Sequence, residues 1–247
     1  LGLGDLHLRL TLERMKERFN VEVTTHPPSI PYRETITSKA EGHHRHKKQT
    51  GGAGQFGEVF LRVEKLPRGE GFEFANQVVG GAIPGQFIPA VEKGVRQALE
   101  SGAIAGFPIQ DLRVTVYDGK HHPVDSKEVA FVTAGKKAFL KAVGNARPIV
   151  LEPMVTVDIT IPSDSMGNVT GDLSSRRGRI LGNTTLAGDR VVVHGEAPLA
   201  EFQNYQSQLK SMTGGAGTFT MAFSRYEPVP PNIQQDLVAR YESPPED

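Results

Sequence analysis

Cysteine is absent from this sequence of 247 residues. The chain can therefore form neither disulfides nor thiolate zinc sites, which fits a reducing compartment. No stretch approaches the roughly 20 apolar residues that a membrane helix needs, and the first residues, with Asp5, His7 and Arg9, do not resemble a secretory signal. We expect a cytoplasmic protein without membrane contact.

Signatures of enzymes are missing as well. The sequence has no G-x-x-x-x-G-K-[ST] phosphate loop, no G-x-S-x-G and no H-E-x-x-H. Residues 52–57 match G-x-G-x-x-G, but they follow a polar run and open a strand, whereas a dinucleotide site opens a helix. His43, His44 and His46 do not form a preformed metal set. We predict no catalytic residue, metal or cofactor in this chain.

Charge is balanced in total but uneven along the chain. Lysine plus arginine and aspartate plus glutamate each number 28, so a uniformly basic surface is not expected. Residues 43–48 (HHRHKK) contain no acid and precede a glycine-rich turn at 50–54. Such a segment either brings cations and main-chain N–H groups to phosphate oxygens or is a solvated loop, and both interpretations stay open.

Three regions follow from the hydrophobic pattern. The spacing of apolar residues predicts an amphipathic helix over 4–19, followed by a short strand at Val21–Val23 and a proline-rich boundary. Residues 32–147 predict the order β-β-β-α-β-α, with a polar connection over 40–55 and a turn at Asp118–Gly119. In that region Gly102 ends the first helix, and Asp125 with Glu128 has capping-box spacing at the start of the second.

The third region, residues 149–226, predicts the order β-α-β-β-α-β, which is that of a ferredoxin-like sandwich. Its first helix ends at Arg176, Arg177 and Gly178. The predicted fold class is therefore α+β and multidomain: an elongated β-β-β-α-β-α domain followed by a ferredoxin-like βαββαβ sandwich.

Several short segments, in the same order, resemble the elongation factor G family of translational GTPases. They are GLGDLHL at 2–8, YRETI at 32–36, QTGGAGQFG at 49–57, GGAIP at 80–84, the segment from Tyr117 to Ser126, LEP at 151–153 and GDLSSRRG at 171–178. The resemblance implies the end of a truncated ferredoxin-like domain III at 1–27, an elongated domain IV at 28–148 and a ferredoxin-like domain V at 149–228. The charges of the last residues predict an acidic tail with a short helix at 229–247. The resemblance also implies that the GTPase domain, with its GTP and magnesium, lies upstream, and we interpret the chain as a fragment.

The resemblance further implies a monomer that binds the ribosome and promotes movement of tRNA and mRNA. Domain IV would enter the small-subunit decoding region, and domain V would contact the large-subunit factor-binding region through Arg176 and Arg177. The tip of domain IV would contact RNA through two loops. Its expected contact residues are Lys47, Lys48, Gln49, Gly51, Gly52, Ala53, Gly54, Gln55, His121 and His122.

Two departures from the family pattern leave the function open. Ala53 and Ala216 stand where arginine is usual, and the basic run 43–48 is longer than the common form. These features resemble a paralogous elongation factor G-like group. The alternatives are a non-translocating or ribosome-protection paralogue and, from another class, a free-standing small-molecule enzyme.

Overall fold

The computed structural model describes residues 5–26, 28–49 and 54–241. They form two compact units, which are described separately. The first unit comprises Pro31–Leu151 and the segment from Pro228 onwards; the second comprises Glu152–Glu227 and the segment up to Ile30. The predicted motif at Gly2–Gly4 lies outside the described residues.

The N-terminal segment forms one helix, α1 (Asp5–Phe19). Its predicted apolar face is covered only in part: Leu12 and Met15 are half-buried, whereas Leu8 is 51% and Phe19 is 73% accessible. The strand predicted at Val21–Val23 does not form, because among the described residues no other strand pairs with this segment.

The first unit is built on a four-stranded sheet covered by two helices. Its strands and helices are β1 (Arg33–Ile36), β2 (Ala40–Lys48), β3 (Gln55–Lys65), β4 (Phe72–Asn76), α2 (Ile88–Ser101), β5 (Leu112–Lys120) and α3 (Glu128–Asn145). The sheet order is β2-β3-β5-β4, with β4 and β5 parallel and the other pairs antiparallel. Aliphatic residues of β3 and β5 and the inner faces of both helices form one core.

This unit has one more strand than the sequence predicted. The supposed polar connection over 40–55 is mostly β2, which pairs along its whole length with β3. Polar residues are compatible with an edge strand, because β3 supplies the main-chain hydrogen bonds and solvent reaches the side chains. Asp118 and Gly119 likewise lie inside β5 and not in a turn.

The helix ends were predicted with mixed success. Gly102 ends α2 as expected, with a positive φ of 76°. The prediction of a capping box at the start of α3 was wrong: Lys127 is the N-cap residue and makes no side-chain capping hydrogen bond. Asp125 instead lies beside Gly54, where a Cβ atom would be 2.8 Å from its Cγ.

A buried carboxylate holds the segment after α2. Glu34 on β1 is fully inaccessible to solvent. Its Oε2 accepts hydrogen bonds from the main-chain N–H groups of Ala103 and Ile104 at 2.7 and 3.1 Å, and its Oε1 accepts those of Ala105 and Phe107 at 2.8 and 3.1 Å. The four donors satisfy a charge that would otherwise be costly to bury.

The long strand β6 (Pro148–Pro162) begins in the first unit, where its first residues pair with β1. The second unit continues with α4 (Met166–Ser175), β7 (Arg179–Leu186), β8 (Arg190–Pro198), α5 (Tyr205–Met212) and β9 (Thr218–Pro228). Its strand order is β9-β6-β8-β7. The order β-α-β-β-α-β along the chain is the one predicted. Both helices, β6 and β8 share one apolar core, and Phe219 of β9 packs against it.

The last described helix, α6 (Pro231–Ala239), belongs to the first unit. Ile233 and Leu237 pack against a small cluster around Val150 and Val229. The sequence placed residues 229–247 in a separate acidic tail with a short helix. The helix is present, but it is packed against the first unit because its apolar face finds partners there. Residues 242–247 lie outside the described part.

Candidate nucleic-acid interface

Three segments of the first unit meet at one end of the sheet. The register pairs Lys47 with Phe56 and Lys48 with Gln55, where β2 ends and β3 begins. Phe56 donates its main-chain N–H to the carbonyl of Asp125 at 2.9 Å. The segment that follows β5 is thereby fixed beside the end of β2.

An open groove of about 240 Å³ lies between these segments. It is lined by Arg45, Lys47, Lys48, Gln49, Gly54, Gln55, Phe56, His122 and Asp125. We call this the tip groove. The groove contains three cationic side chains and one carboxylate, so its electrostatic potential favours an anion.

The aromatic groups of the tip groove are held in place by their neighbours. The Arg45 guanidinium lies 5.2 Å from the centre of the Phe56 ring, a cation–π contact. Phe56 meets His122 edge-on at 6.3 Å between ring centres. The groove thus combines charge with flat rings, which is the combination that binds phosphates and stacks on bases.

His122 is oriented by its own turn. Its Nδ1 accepts hydrogen bonds from the main-chain N–H groups of Val124 and Asp125, at 3.3 and 3.1 Å. These two donors favour the neutral tautomer with its proton on Nε2; Nδ1 also lies 3.4 Å from a carboxylate oxygen of Asp125, a longer contact than the hydrogen bond from the Asp125 N–H. Ser126 completes the turn, since its hydroxyl accepts the His122 N–H at 2.8 Å and donates to the Phe56 carbonyl at 3.1 Å.

The structure gathers most of the residues predicted for the tip of domain IV. Lys47, Lys48, Gln49, Gly54, Gln55 and His122 line the same groove. His121 does not: its Nδ1 lies 3.3 Å from the carbonyl oxygen of Ala82. Gly51, Gly52 and Ala53 lie outside the described residues. Sequence reasoning missed Phe56 and Asp125. Phe56 is recognised only from the structure, because the register of β2 with β3 places it opposite Lys47.

Arg176 and Arg177 of the second unit have internal partners. Arg176 pairs with Asp172 at 2.7 Å and lies over the ring of Tyr205. Arg177 donates to both oxygens of Glu152, at 2.6 and 2.9 Å, and to Glu201 at 2.9 Å. These hydrogen bonds raise the pKa of both guanidinium groups. Because their partners lie outside α4 as well as on it, the two arginines connect the end of α4 to the rest of the second unit.

One arrangement has the order of a hydrolase triad. His194 on β8 lies 2.9 Å from the Thr184 hydroxyl and 2.7 Å from an Asp158 carboxylate oxygen. Asp158 on β6 is directly opposite His194, Thr184 on β7 is diagonal to it, and both Thr184 and Asp158 are exposed. An efficient nucleophile needs an enclosed site with oxyanion donors, so we interpret this trio as a cross-strand polar network.

Two further features are absent from the part of the chain that the structure describes. No helix in the described part of the chain is long and apolar enough to cross a membrane. Among the same residues, no group of three or more histidine, aspartate and glutamate side chains is arranged to hold a metal ion.

The fold and the tip groove together define a class of protein: a two-unit α+β chain whose first unit presents a cationic, ring-lined groove suited to a nucleic-acid backbone. Two family sequence models match consecutive parts of the chain, "Elongation factor G, domain IV" over residues 28–147 and "Elongation factor G C-terminus" over residues 149–237. The chain belongs to the elongation factor G family.

Known relatives agree with this assignment. The "Elongation factor G-like protein" of Thermotoga maritima is 48% identical over 237 residues, which are 96% of this chain and 35% of that protein. "Elongation factor G" of Aquifex pyrophilus is 46% identical over 237 residues, or 96% and 34%. A crystal structure of a protein from Thermus thermophilus superposes with a TM-score of 0.83 at 43% identity, covering 95% of this chain and 35% of that one. The chain thus spans about a third of the length of its curated relatives.

Proposed function

We propose that this chain is the ribosome-contacting arm of an elongation factor G-type GTPase and promotes tRNA–mRNA translocation in the cytoplasm. In this proposal the first unit enters the small-subunit decoding region and the tip groove contacts RNA. The second unit contacts the large-subunit factor-binding region. GTP and magnesium are bound by other domains of the complete, monomeric factor.

The observation that supports the proposal is the composition of the tip groove. Arg45, Lys47 and Lys48 come from one strand, while His122 comes from a segment more than 70 positions later, and all four line the same groove. Cations contribute affinity for phosphates, and the donor on His122 Nε2 adds direction. None of these groups makes or breaks a covalent bond, so the proposed action is mechanical. The arm stabilises the ribosome in the state in which tRNA and mRNA have moved.

The first test is the salt dependence of ribosome binding by the complete factor. Each lysine–phosphate contact contributes about 0.7–0.9 to the slope of log K against log salt concentration. Lys47→Gln/Lys48→Gln should therefore lower that slope by about 1.5. The control Lys65→Gln/Lys93→Gln removes the same charge from the same unit away from the groove and should leave the slope unchanged.

A second test separates movement from hydrolysis. His122→Ala in the complete factor should slow translocation and leave single-turnover GTP hydrolysis on the same ribosomes unchanged. Equal loss of both rates would indicate misfolding or failed binding. Unchanged rates in both assays would contradict a role of His122.

A second candidate function is a non-translocating or ribosome-protection paralogue. Ala53 and Ala216 replace the arginines usual in the family, and the Thermotoga maritima relative is named an elongation factor G-like protein. Such a paralogue would bind ribosomes with the salt dependence described above but would not move tRNA at any concentration.

The internal pairing of Arg176 and Arg177 implies that these two residues stabilise the second unit, and any contact with RNA would be additional.

A further inference from the structure

The tip groove contains an acidic side chain that the fold does not require. Asp125 is the one carboxylate among the described residues that line the groove. It is not the helix cap that its spacing predicts, because Lys127 is the N-cap residue of α3. No residue in the described part of the chain donates a hydrogen bond to its carboxylate oxygens. The side chain therefore brings a negative charge into a cationic site without adding a hydrogen bond to the fold.

The carboxylate of Asp125 lies against the end of the glycine-rich turn. A Cβ atom on Gly54 would be 2.8 Å from its Cγ and 2.9 and 3.1 Å from its two oxygens, so glycine leaves the room that the carboxylate occupies. The main chain fixes the residue there: its carbonyl accepts the Phe56 N–H at 2.9 Å, and its own N–H donates to His122 Nδ1 at 3.1 Å. The side chain is 35% exposed, so it can turn toward solvent without breaking either hydrogen bond.

The cations of the groove are not neutralised by this acid. Arg45, Lys47 and Lys48 are exposed and form no ion pair with any residue that the structure describes. Their donors are therefore free for an anion from outside the chain. A like charge in the same groove weakens the attraction of that anion.

The helix that follows does not explain the acid either. Negative charges are favoured near a helix N-terminus, but in α3 this position is taken by Glu128 in the first turn. Asp125 lies before the N-cap and on the groove side, beside Gly54. A charge that caps no helix and repels the ligand of its own groove indicates control of affinity.

We propose that Asp125 is an internal competitor of RNA phosphate, which keeps the affinity of the tip groove low enough for the arm to be released. The inference rests on the proposed function, because it concerns how strongly the same groove binds RNA. A phosphate that approaches Lys47 and Lys48 is repelled by the carboxylate at the glycine end of the groove. An arm that works in cycles must leave its site in every cycle, and differences in affinity act mainly through the dissociation rate.

The test measures the binding of a labelled oligouridylate to the chain by fluorescence anisotropy. The RNA has about 12 nucleotides, within the usual range of single-strand site sizes, and is titrated at about 0.05 M and about 0.3 M salt. Asp125→Asn removes the charge and keeps the shape, and Asp125→Ala removes both. Glu128→Gln removes a charge from the start of α3, outside the groove, and is the matched control. Lys47→Gln/Lys48→Gln reports whether the groove binds RNA at all.

Asp125→Asn should bind the RNA about fivefold more tightly at the lower salt concentration, the effect of removing one like charge a few ångströms from a phosphate at a protein surface. At the higher concentration the gain should fall to about twofold, because salt screens the carboxylate. Asp125→Ala should show the same gain, and Glu128→Gln should show none. In the complete factor, Asp125→Asn should dissociate from ribosomes about fivefold more slowly.

Three results would overturn the role of Asp125. The first is unchanged or weaker binding by Asp125→Asn; the second is an equal gain for Glu128→Gln, which would indicate a general effect of net charge. The third is weaker binding by Asp125→Ala alone, which would make the side chain a support for Gly54 and not a competitor.

The lysine variant separates this inference from the proposed function. If Lys47→Gln/Lys48→Gln weakens binding and Asp125→Asn changes nothing, the inference fails and the proposed function stands. If the unaltered chain binds the RNA without salt dependence and the lysine variant binds equally well, both fail.

Discussion

Replacing Glu34 by glutamine is the most informative perturbation of the first unit. The side chains have the same shape, but an amide offers one oxygen in place of two. In the native structure each carboxylate oxygen of Glu34 accepts two main-chain N–H groups from residues 103–107. In the variant one pair of N–H donors would face the NH₂ group and lose its acceptor.

The expected cost follows from those contacts. A hydrogen bond to a charged group contributes about 1.5–3 kcal/mol, and an unsatisfied buried donor is costly in itself. Losing two such bonds should destabilise the first unit by about 4 kcal/mol. For a unit of this size the melting temperature should fall by about 14 °C.

Urea denaturation and native-state hydrogen exchange measure this effect. The amides of Ala103, Ile104, Ala105 and Phe107 should exchange faster, whereas the second unit should keep its stability. Glu100→Gln, on the exposed surface of α2, is the matched control and should be neutral. A loss below about 1 kcal/mol, the usual value for one neutral hydrogen bond, would refute the assignment of Glu34 as the anchor of this segment.

Three further predictions concern stability. Arg177→Met leaves the buried Glu152 carboxylate unpaired and should cost about 3 kcal/mol in urea denaturation, and adding Glu152→Gln should recover most of it. Gly42→Ala places a methyl group against α3, where its Cβ atom would lie 2.8 Å from Cβ of Ala142, and should cost about 2 kcal/mol, the usual penalty of overpacking; full stability would refute the close approach. Burial first, and then the charges of neighbouring lysines and histidines, lower the pKa of His44 from 6.5 in the folded state, so the unfolded chain binds its proton more readily. Stability should therefore fall as the pH drops through 6.5 and level off below the folded pKa, and His44→Gln should remove this part of the pH dependence.

Local patterns were enough to predict the second unit. Alternation in β6 and β8, the cationic end of α4 and the glycine after it are properties of neighbouring residues, and they specified the order β-α-β-β-α-β. The α+β class and the family resemblance were also readable from short segments, since each motif is contiguous in the chain.

Local patterns failed where a distant segment supplies the partner. β2 has the composition of a loop and becomes a strand only because β3 pairs with it. Asp125 has the spacing of a helix cap, yet it lies directly beside Gly54 in the tip groove. Sequence position also assigned the C-terminal helix to a separate tail, whereas packing of Ile233 and Leu237 against Val150 and Val229 places it in the first unit.

The sequence alone determined which residue types occupy the segments that form the tip groove, because basic, glycine and histidine residues are visible without coordinates. The tertiary structure decided which of them act together: it joins His122 to Lys47 and Lys48, turns His121 toward Ala82 and pairs Arg177 with Glu152. The physical reason is that a charge or a ring acquires its role from the groups within a few ångströms of it. In a chain where β1 and β6 pair across more than 100 positions, those groups come from remote parts of the sequence.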